Sequence, residues 1–444
     1  MNFKDMNISV IGMARTGIAT ANFLSEQGAR VTLLDAKTRE ALASAMQQVD
    51  PRVQTVFESS APRPDADLVV LSPGVNIQSP DLESARHKNV EIISELELAY
   101  RVSRTPIIAV TGTNGKSTTT SLIAALLEEG GKDVRVGGNI GVPFVSLLTQ
   151  LPGDYLVLEV SSFQLEATVQ FRPRISILLN LTPDHLDRHI TMDHYAALKE
   201  KVAVNQTEED LLIANQDDPR VRQITENKKP RKWFFSLKEP VDQGCYLKED
   251  RVIFRQDSRE ETLCRVNDLK PALRLQLENI LASVLTARLA GIDAESIVSG
   301  LRGFTGLPHR MEWVRTINDV DFINDSKGTN VGALEKSLNS FDRPIILIIG
   351  GQDKGGDFAG LKPLFKAKVR HMILIGEAKT KIQAVLNGSF GYEDAADMAS
   401  AVQRAYAQAR PGDVILLSPA CASFDMFRDY MDRGDQFKAC VQSL

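Results

Sequence analysis

Cysteine is scarce in this chain. Cys245, Cys264, Cys421 and Cys440 are the only four in 444 residues, and no two form a CxxC pair. Their spacing fits neither a zinc site nor a secreted disulfide framework, so reduced thiols and a cytoplasmic location are expected. An excess of basic residues is also missing: 52 Lys and Arg stand against 57 Asp and Glu, a formal net charge of −5. That excludes the broad cationic face on which nucleic-acid phosphates are neutralised. No apolar run approaches the roughly 18 residues of a membrane span. The first apolar stretch is broken by Gly12, Arg15 and Gly17, unlike a signal peptide. What remains is ordinary globular material, 43% hydrophobic and 25% charged, enough for about three domains of roughly 150 residues. A soluble enzyme is the expectation.

Three regions repeat one rhythm of apolar run, glycine turn and helical pattern. The first has strands at Ile8 to Ile11, Val31 to Leu34 and Asp67 to Leu71, with a helix through Leu24. The second has a strand at Ile107 to Val110 and a helix from about Ser117 to Glu129, with further strands at 155–160, 175–180 and 211–214. The third has strands at 345–349, 372–375 and 414–417, with a helical pattern over 395–409. Short loops between alternating strands and helices predict α/β domains with parallel sheets. Boundaries fall near residues 100 and 305, giving domains 1–100, 101–305 and 306–444.

The clearest chemistry is Val110-Thr-Gly112-Thr113-Asn114-Gly115-Lys116-Ser117-Thr118, between a buried strand and a helix. Glycines let backbone N–H groups face phosphate oxygens, and the helix N-terminus adds partial positive charge. Lys116 would reach the terminal phosphates, and the Ser117 hydroxyl would ligate Mg²⁺. Glu159 ends the next apolar strand, at the sheet edge where ligands gather, and suits a magnesium ion. Glu166, seven residues on, reads as a surface acid. In Asn180-Leu-Thr-Pro-Asp184-His185-Leu-Asp187-Arg188-His189, His185 is a candidate ligand or substrate contact, with Asp184, Asp187 and His189 as further polar candidates. Lys199 and Lys201 read as solvated helix charges. Loops around His309-Arg310, Asp325 to Asn330, Lys354 and Ser423 carry the cations and hydroxyls that recognise carboxylates and phosphates. The Gly12-x-x-x-x-Gly17 turn, with Asp35 ending the following strand, suits a nucleotide-like ligand. An oxidoreductase holding NAD(P) there is the alternative, but it leaves residues 112–118 without a job. Cys421 reads as small and buried.

TGTNGKST, LEVSSFQLE, NLTPDHLDRH, PHRMEW, NDSKGTN and LSPACASFDMFRDYMDRGDQF, in this order, resemble the Mur ligase family from end to end. SSFQLE together with SPACASFD is similar to its D-glutamate-adding branch. The resemblance implies a Rossmann-like N-terminal domain for the UDP-sugar, a central P-loop ATPase and a Rossmann-like C-terminal domain for the amino acid. It implies ATP-driven joining of D-glutamate to UDP-N-acetylmuramoyl-L-alanine by a cytoplasmic monomer. By motif match, Gly112 to Thr118 would cradle ATP, with Asn279, Arg310 and Asp325 also touching it. Ser117, Glu159, His185 and Lys199 would hold two Mg²⁺ ions, Lys199 as the carbamate it forms with CO₂. Ala14, Arg15, Thr16, Asp35, Ser72, Gly74, Asn139 and His185 would hold the UDP-substrate. Lys327, Thr329, Lys354, Ser423 and Tyr430 would bind D-glutamate. Leu275-Gln276 stand where the family usually has His-Asn, NDSKGT replaces NDSKAT, and GGQDK replaces GGDGK.

Overall fold

The computed structural model describes residues 2–444 except Lys354 and Ser389. Three sheets form in chain order. The first contains β1 (Asn7–Ile11), β2 (Arg30–Leu34), β3 (Gln54–Val56), β4 (Leu68–Leu71) and β5 (Glu91–Ser94), arranged β3-β2-β1-β4-β5 and parallel throughout. The second begins with β6 (Ile107–Thr111), β7 (Val134–Gly138), β8 (Tyr155–Glu159), β9 (Ile175–Leu178) and β10 (Leu211–Asn215). It continues through β11 (Arg231–Ser236), β12 (Gly244–Lys248), β13 (Arg251–Gln256) and β14 (Arg259–Arg265), in the order β14-β13-β12-β11-β10-β9-β6-β8-β7. The third contains β15 (Glu312–Ile317), β16 (Val320–Asn324), β17 (Ile345–Gly350), β18 (Val369–Ile375), β19 (Tyr392–Asp394) and β20 (Val414–Leu417), ordered β15-β16-β20-β17-β18-β19. All pairs in the third sheet are parallel except β15 with β16.

The central strands are almost wholly apolar, as strands covered on both faces must be. Every residue of β6, β10, β17 and β20 is buried. The strands read from sequence appear within a few residues of their expected ends. The helical pattern over 395–409 is trimmed to Met398–Gln408, because Asp397 caps it by accepting from the Ser400 N–H at 2.7 Å. Strands β11 to β14 carry no clear sequence signal. Their burial is patchy, and charged residues such as Arg231, Arg251, Arg259 and Glu260 stand exposed along them.

The chain divides into two compact units. Met1–Leu181, His185–Cys264 and Leu281–Gly300 form one, and Thr182–Asp184, Arg265–Ile280 and Leu301–Leu444 the other. The first two sheets share a unit for a reason visible in the helix Glu95–Val102 that links them. Glu97, fully buried, accepts from three consecutive backbone N–H groups, those of Val169, Gln170 and Phe171, at 2.9–3.0 Å. Arg101 pairs with the same carboxylate at 2.8 Å. Two residues earlier, Glu95 accepts from the Val145 N–H at 2.7 Å, and its second oxygen has no hydrogen-bond partner among the described residues. Buried charges are tolerated when paired and hydrogen-bonded. Glu97 meets that condition and Glu95 only half does.

Burial pushes the Glu95 carboxyl up to about 7, against the N–H groups of Val145 and Phe144, which oppose the rise. The folded state therefore prefers the neutral acid. Its contribution is fully present below pH 4.5 and is lost as pH climbs through about 7. At about 1.4 kcal/mol per pKa unit, the loss is on the order of 3 kcal/mol. Glu95→Gln should match the parent in denaturant unfolding near pH 5 and gain on it by up to about 3 kcal/mol at pH 8. A stability difference that stays constant across that window would refute the assignment.

Candidate active site

At the carboxyl edge of the second sheet, β6 runs into a loop that must lie flat on its neighbour. Gly112 has φ +147°, and a Cβ there would fall 2.9 Å from Leu179 Cβ and 3.2 Å from the Asn180 nitrogen. Only glycine permits that approach. Asn180 then fastens the loop from both its main chain and its side chain. Its carbonyl accepts from Thr113 N–H at 2.9 Å, its Oδ1 accepts from Asn114 N–H at 2.9 Å, and its Nδ2 donates to the Asn114 carbonyl at 3.0 Å. Sequence reasoning noted Asn180 as a strand-end polar residue and gave it no role. Gly115, in the left-handed region at φ 85°, turns the chain into the helix Lys116–Glu129. Thr113, Ser117 and Thr118 are buried at this end. Lys116 Nζ folds back over the loop, donating to the carbonyls of Thr113 at 2.7 Å and Gly112 at 3.1 Å.

Glu159, at the end of β8, meets the start of that helix. One carboxylate oxygen accepts from Ser117 Oγ, and the other accepts from Asn139 Nδ2 at 2.7 Å. Ser117 and Glu159 are both nearly inaccessible, so this is a preformed group of oxygen donors beside the phosphate loop. Asn139, which the resemblance connects with the UDP-substrate, turns toward Glu159 here.

A column of rings stands next to the loop. His185, at φ 53°, has its ring 5.0 Å from Phe163, which lies flat against His189 at 5.0 Å and 27°. His189 in turn lies 5.3 Å from Tyr195, whose hydroxyl is 3.2 Å from Thr113 Oγ1. Burial pulls His189 down to about 4, with the neighbouring His185, His194, Arg188 and Lys199 adding to the effect. Its Nε2 lies 3.0 Å from Ser162 Oγ, so it is a neutral core histidine. The side chain of Asp187 lies outside the described residues.

Two lysines depart from the expectation of solvated charge. Lys199 is 1% exposed, and its Nζ donates to the Gly112 carbonyl at 2.8 Å. Lys201 is half-buried and donates to the carbonyls of Glu166 at 2.7 Å and Thr168 at 3.2 Å. The helix Met192–Val204 buries Tyr195, Leu198, Lys199 and Val202. Lys199 thus falls on the i, i+3, i+4, i+7 stripe, a signal the sequence did contain. Glu166 is likewise no surface acid: its side chain is 10% exposed and pairs with Arg188 at 2.7 Å.

In the first sheet, Gly12 (φ +98°) and Gly17 close a tight turn. A Cβ on Gly17 would stand 1.8 Å from the Gly12 carbonyl oxygen. Ser72 Oγ donates to that carbonyl at 2.8 Å. Asp35 accepts from Met13 N–H at 2.7 Å and Lys37 N–H at 2.9 Å, so its carboxylate also builds the turn. Ala14 and Arg15 are exposed, Thr16 is half-buried, and Gly74 faces open space.

The remaining expected residues lie in the other unit. Asp325 is buried, accepting from Ser337 Oγ at 2.6 Å, Ser418 Oγ at 3.0 Å and Met311 N–H at 3.3 Å. Burial pushes its carboxyl up to about 6, against those three donors. Lys327 Nζ sits 3.7 Å from the centroid of the Tyr430 ring, within cation–π range. Thr329 N–H donates to the Lys327 carbonyl at 2.8 Å, Ser423 is buried and Arg310 half-buried. Asn279 donates to Gln276 Oε1 at 3.3 Å, so a residue of the unusual Leu275-Gln276 pair supports it. Lys354 lies outside the described residues. Cys421 is buried and pushed up to about 12 by desolvation, in agreement with a structural thiol.

Arg433, within the last motif, had no role assigned from sequence. It is fully buried, and its guanidinium donates to Ser326 Oγ at 2.9 Å and to the carbonyls of Ser326, Cys421 and Ala422 at 2.8, 3.2 and 3.1 Å. Burial lowers it to about 10, which still leaves it charged at neutral pH.

Comparisons with known proteins agree along the whole chain. Residues 6–94 match the Mur ligase MurD-like N-terminal domain, 110–287 the Mur ligase middle domain, and 309–421 the Mur ligase glutamate ligase domain. A UDP-N-acetylmuramoylalanine–D-glutamate ligase of Geotalea uraniireducens is 42% identical, covering 100% of this chain and 99% of its own. An Acidobacterium capsulatum protein of the same name is 40% identical over 99% and 97%. A pseudomurein peptide ligase type C from Methanothermus fervidus shares the fold at a TM-score of 0.61 and 17% identity, over 99% of this chain and 100% of that one. With phosphate loop, strand-end glutamate and full-length kinship in agreement, this chain belongs to the Mur ligase family.

Proposed function

We propose that the protein joins D-glutamate to UDP-N-acetylmuramoyl-L-alanine, driven by ATP and releasing ADP and phosphate, in the synthesis of peptidoglycan precursors. The observation that carries this reading is the phosphate loop with Lys116 folded over it and Ser117 held on the buried Glu159. The names of the full-length relatives support the choice of amino acid. In this reading residues 1–100 receive the UDP-sugar, 101–305 the nucleotide and 306–444 the amino acid. The enzyme works as a cytoplasmic monomer. Among the described residues, no helix is long and apolar enough to cross a membrane.

A carboxylate resists attack by an amine because oxide is its leaving group. Transfer of the γ-phosphoryl of ATP to the L-alanyl carboxylate converts oxide into phosphate. The D-glutamate amine then attacks, and the tetrahedral oxyanion collapses to amide and phosphate. Little covalent work falls to the protein, so positioning and electrostatics dominate. The N–H groups of residues 112–117 and Lys116 receive the phosphates, while Asn279, Arg310 and Asp325 serve the rest of the nucleotide. Ala14, Arg15, Thr16, Asp35, Ser72, Gly74, Asn139 and His185 receive the UDP-substrate. Lys327, Thr329, Lys354, Ser423 and Tyr430 receive D-glutamate.

Ser117 Oγ and the Glu159 carboxylate are hard oxygen donors, which suit magnesium. Bound Mg²⁺ would neutralise charge on the transferring phosphoryl group. Among the described residues, no three His, Cys, Asp or Glu side chains gather as a metal-holding set. Phosphate and water oxygens would therefore complete the shell, as is usual for this ion. Carbamylated Lys199 and His185 would hold a second ion, the carbamate converting a buried cation into an oxygen ligand.

Phosphate release with Mg-ATP and UDP-N-acetylmuramoyl-L-alanine should depend on D-glutamate, and the product mass should show one added glutamate. L-Glutamate, L-lysine and D-alanyl-D-alanine should give none, and turnover with any of them in place of D-glutamate would reject this substrate assignment. Lys199→Ala should lose roughly 100-fold or more in kcat, the scale of removing a transition-state electrostatic contact. Short carboxylic acids should restore part of it; absence of rescue in folded protein would count against the carbamate.

A further inference from the structure

We propose that Arg188 is a positioning residue for the UDP-substrate, holding the loop that follows β4 against the turn that carries His185. The inference rests on the function proposed above and adds a residue to it. Arg188 lies on the short helix Leu186–His189, and its own N–H donates to the His185 carbonyl at 3.0 Å. Its Nη2 reaches across to the first sheet, donating to the Val75 carbonyl at 3.1 Å, and also donates to Glu166 Oε2 at 2.7 Å. The guanidinium carbon is 5.6 Å from the centroid of Phe163, the ring that packs on His185. Side-chain exposure is 19% for Arg188 and 10% for Glu166, so the pair is shielded from full screening by water.

Each partner is itself fixed. Val75 N–H donates to the Ser72 carbonyl at 3.0 Å, and Ser72 Oγ holds the Gly12 turn. The Glu166 carbonyl is gripped by Lys201. One guanidinium therefore joins three segments: residues 72–75, the helix Ser162–Glu166, and the turn 185–189. The first of these carries Ser72 and Gly74, and the last carries His185. A sub-ångström shift between them would move the substrate's carboxylate relative to the phosphate loop, and misplacement on that scale is costly to reaction. General cohesion of the two sheets does not need Arg188, because Glu97 already binds three backbone N–H groups across the same boundary. A single Nη2 serves both the Val75 carbonyl and Glu166, and the planar guanidinium also lies over the Phe163 ring, a stacking contact that an ammonium makes less well.

The test is steady-state kinetics on the full chain. Arg188→Met should raise KM for UDP-N-acetylmuramoyl-L-alanine about tenfold, equivalent to about 1.4 kcal/mol. KM for ATP should stay within about twofold, and the thermal midpoint should hold within the ~2–4 °C that a change of 1 kcal/mol produces in a large domain. Arg188→Lys should recover part of the loss. Glu166→Gln should raise the same KM about threefold, and the double variant should resemble Arg188→Met alone, as expected for residues acting as one unit. An equal rise in the ATP KM, an unchanged UDP-substrate KM, or additive effects in the double variant would overturn the proposal. Should Arg188→Met fail to fold, Glu166→Gln and Arg188→Lys decide the matter on the same criteria. Wild-type turnover with an amino acid other than D-glutamate would revise the proposed function, while the Arg188 effect would remain readable on the same UDP-substrate.

Discussion

Everything at the second sheet's edge depends on how closely two strand ends approach. The backbone at Gly112 lies so near Leu179 and Asn180 that a single Cβ has no room. Because of that contact, Asn180 can bind Thr113 and Asn114 through its own peptide and amide groups. The loop's shape is thereby set by protein partners before any phosphate arrives, which is what preorganised electrostatics requires. Lys116, Ser117 and Lys199 all take their positions from it, two of them donating to the Gly112 carbonyl and the third, in the first turn of the helix, donating to Glu159.

Within each of its two units the protein buries more charge than its balanced composition suggests. Glu97, Lys199, Asp325 and Arg433 are each at most 6% exposed, and each has backbone or hydroxyl partners. Backbone groups are suitable partners because they neither titrate nor move without the fold. Glu95 is the exception, with one carboxylate oxygen unpaired among the described residues, and burial shifts it toward neutrality. Where charges are satisfied by main chain, they tie neighbouring segments together as much as they tune chemistry.

Much of this architecture was legible in the amino-acid order. Buried parallel strands are continuous apolar runs, so β6, β10, β17 and β20 stood out, and the phosphate loop followed from its glycines and its place between strand and helix. Strands β11 to β14 were not legible, because their exposed arginines and glutamates interrupt both apolar runs and strict alternation. Lys199 shows a different limit. Its position on the apolar stripe of its helix was available, yet charge type outweighed periodicity in the reading, and only the family resemblance gave it a role. Arg433 and Asn180 could be given no role for a third reason: most of their partners are backbone atoms that only the fold brings near, and no local pattern announces such contacts. The pairing of Glu166 with Arg188, side chain to side chain across 22 residues, is likewise announced by no local pattern.

Arg433 carries a consequence for how the protein is made. The segments it grips, Ser326 and Cys421–Ala422, all precede it in the chain. During synthesis the first unit's sheets can form while the ribosome is still adding the third region, since domains fold in order of emergence. The loops at Ser326 and Cys421 must wait, already translated, until the helix Tyr430–Gln442 arrives and its arginine draws them together. This edge of the third sheet is therefore completed last, and a ribosome stalled a few codons short of Arg433 would leave it without that clamp.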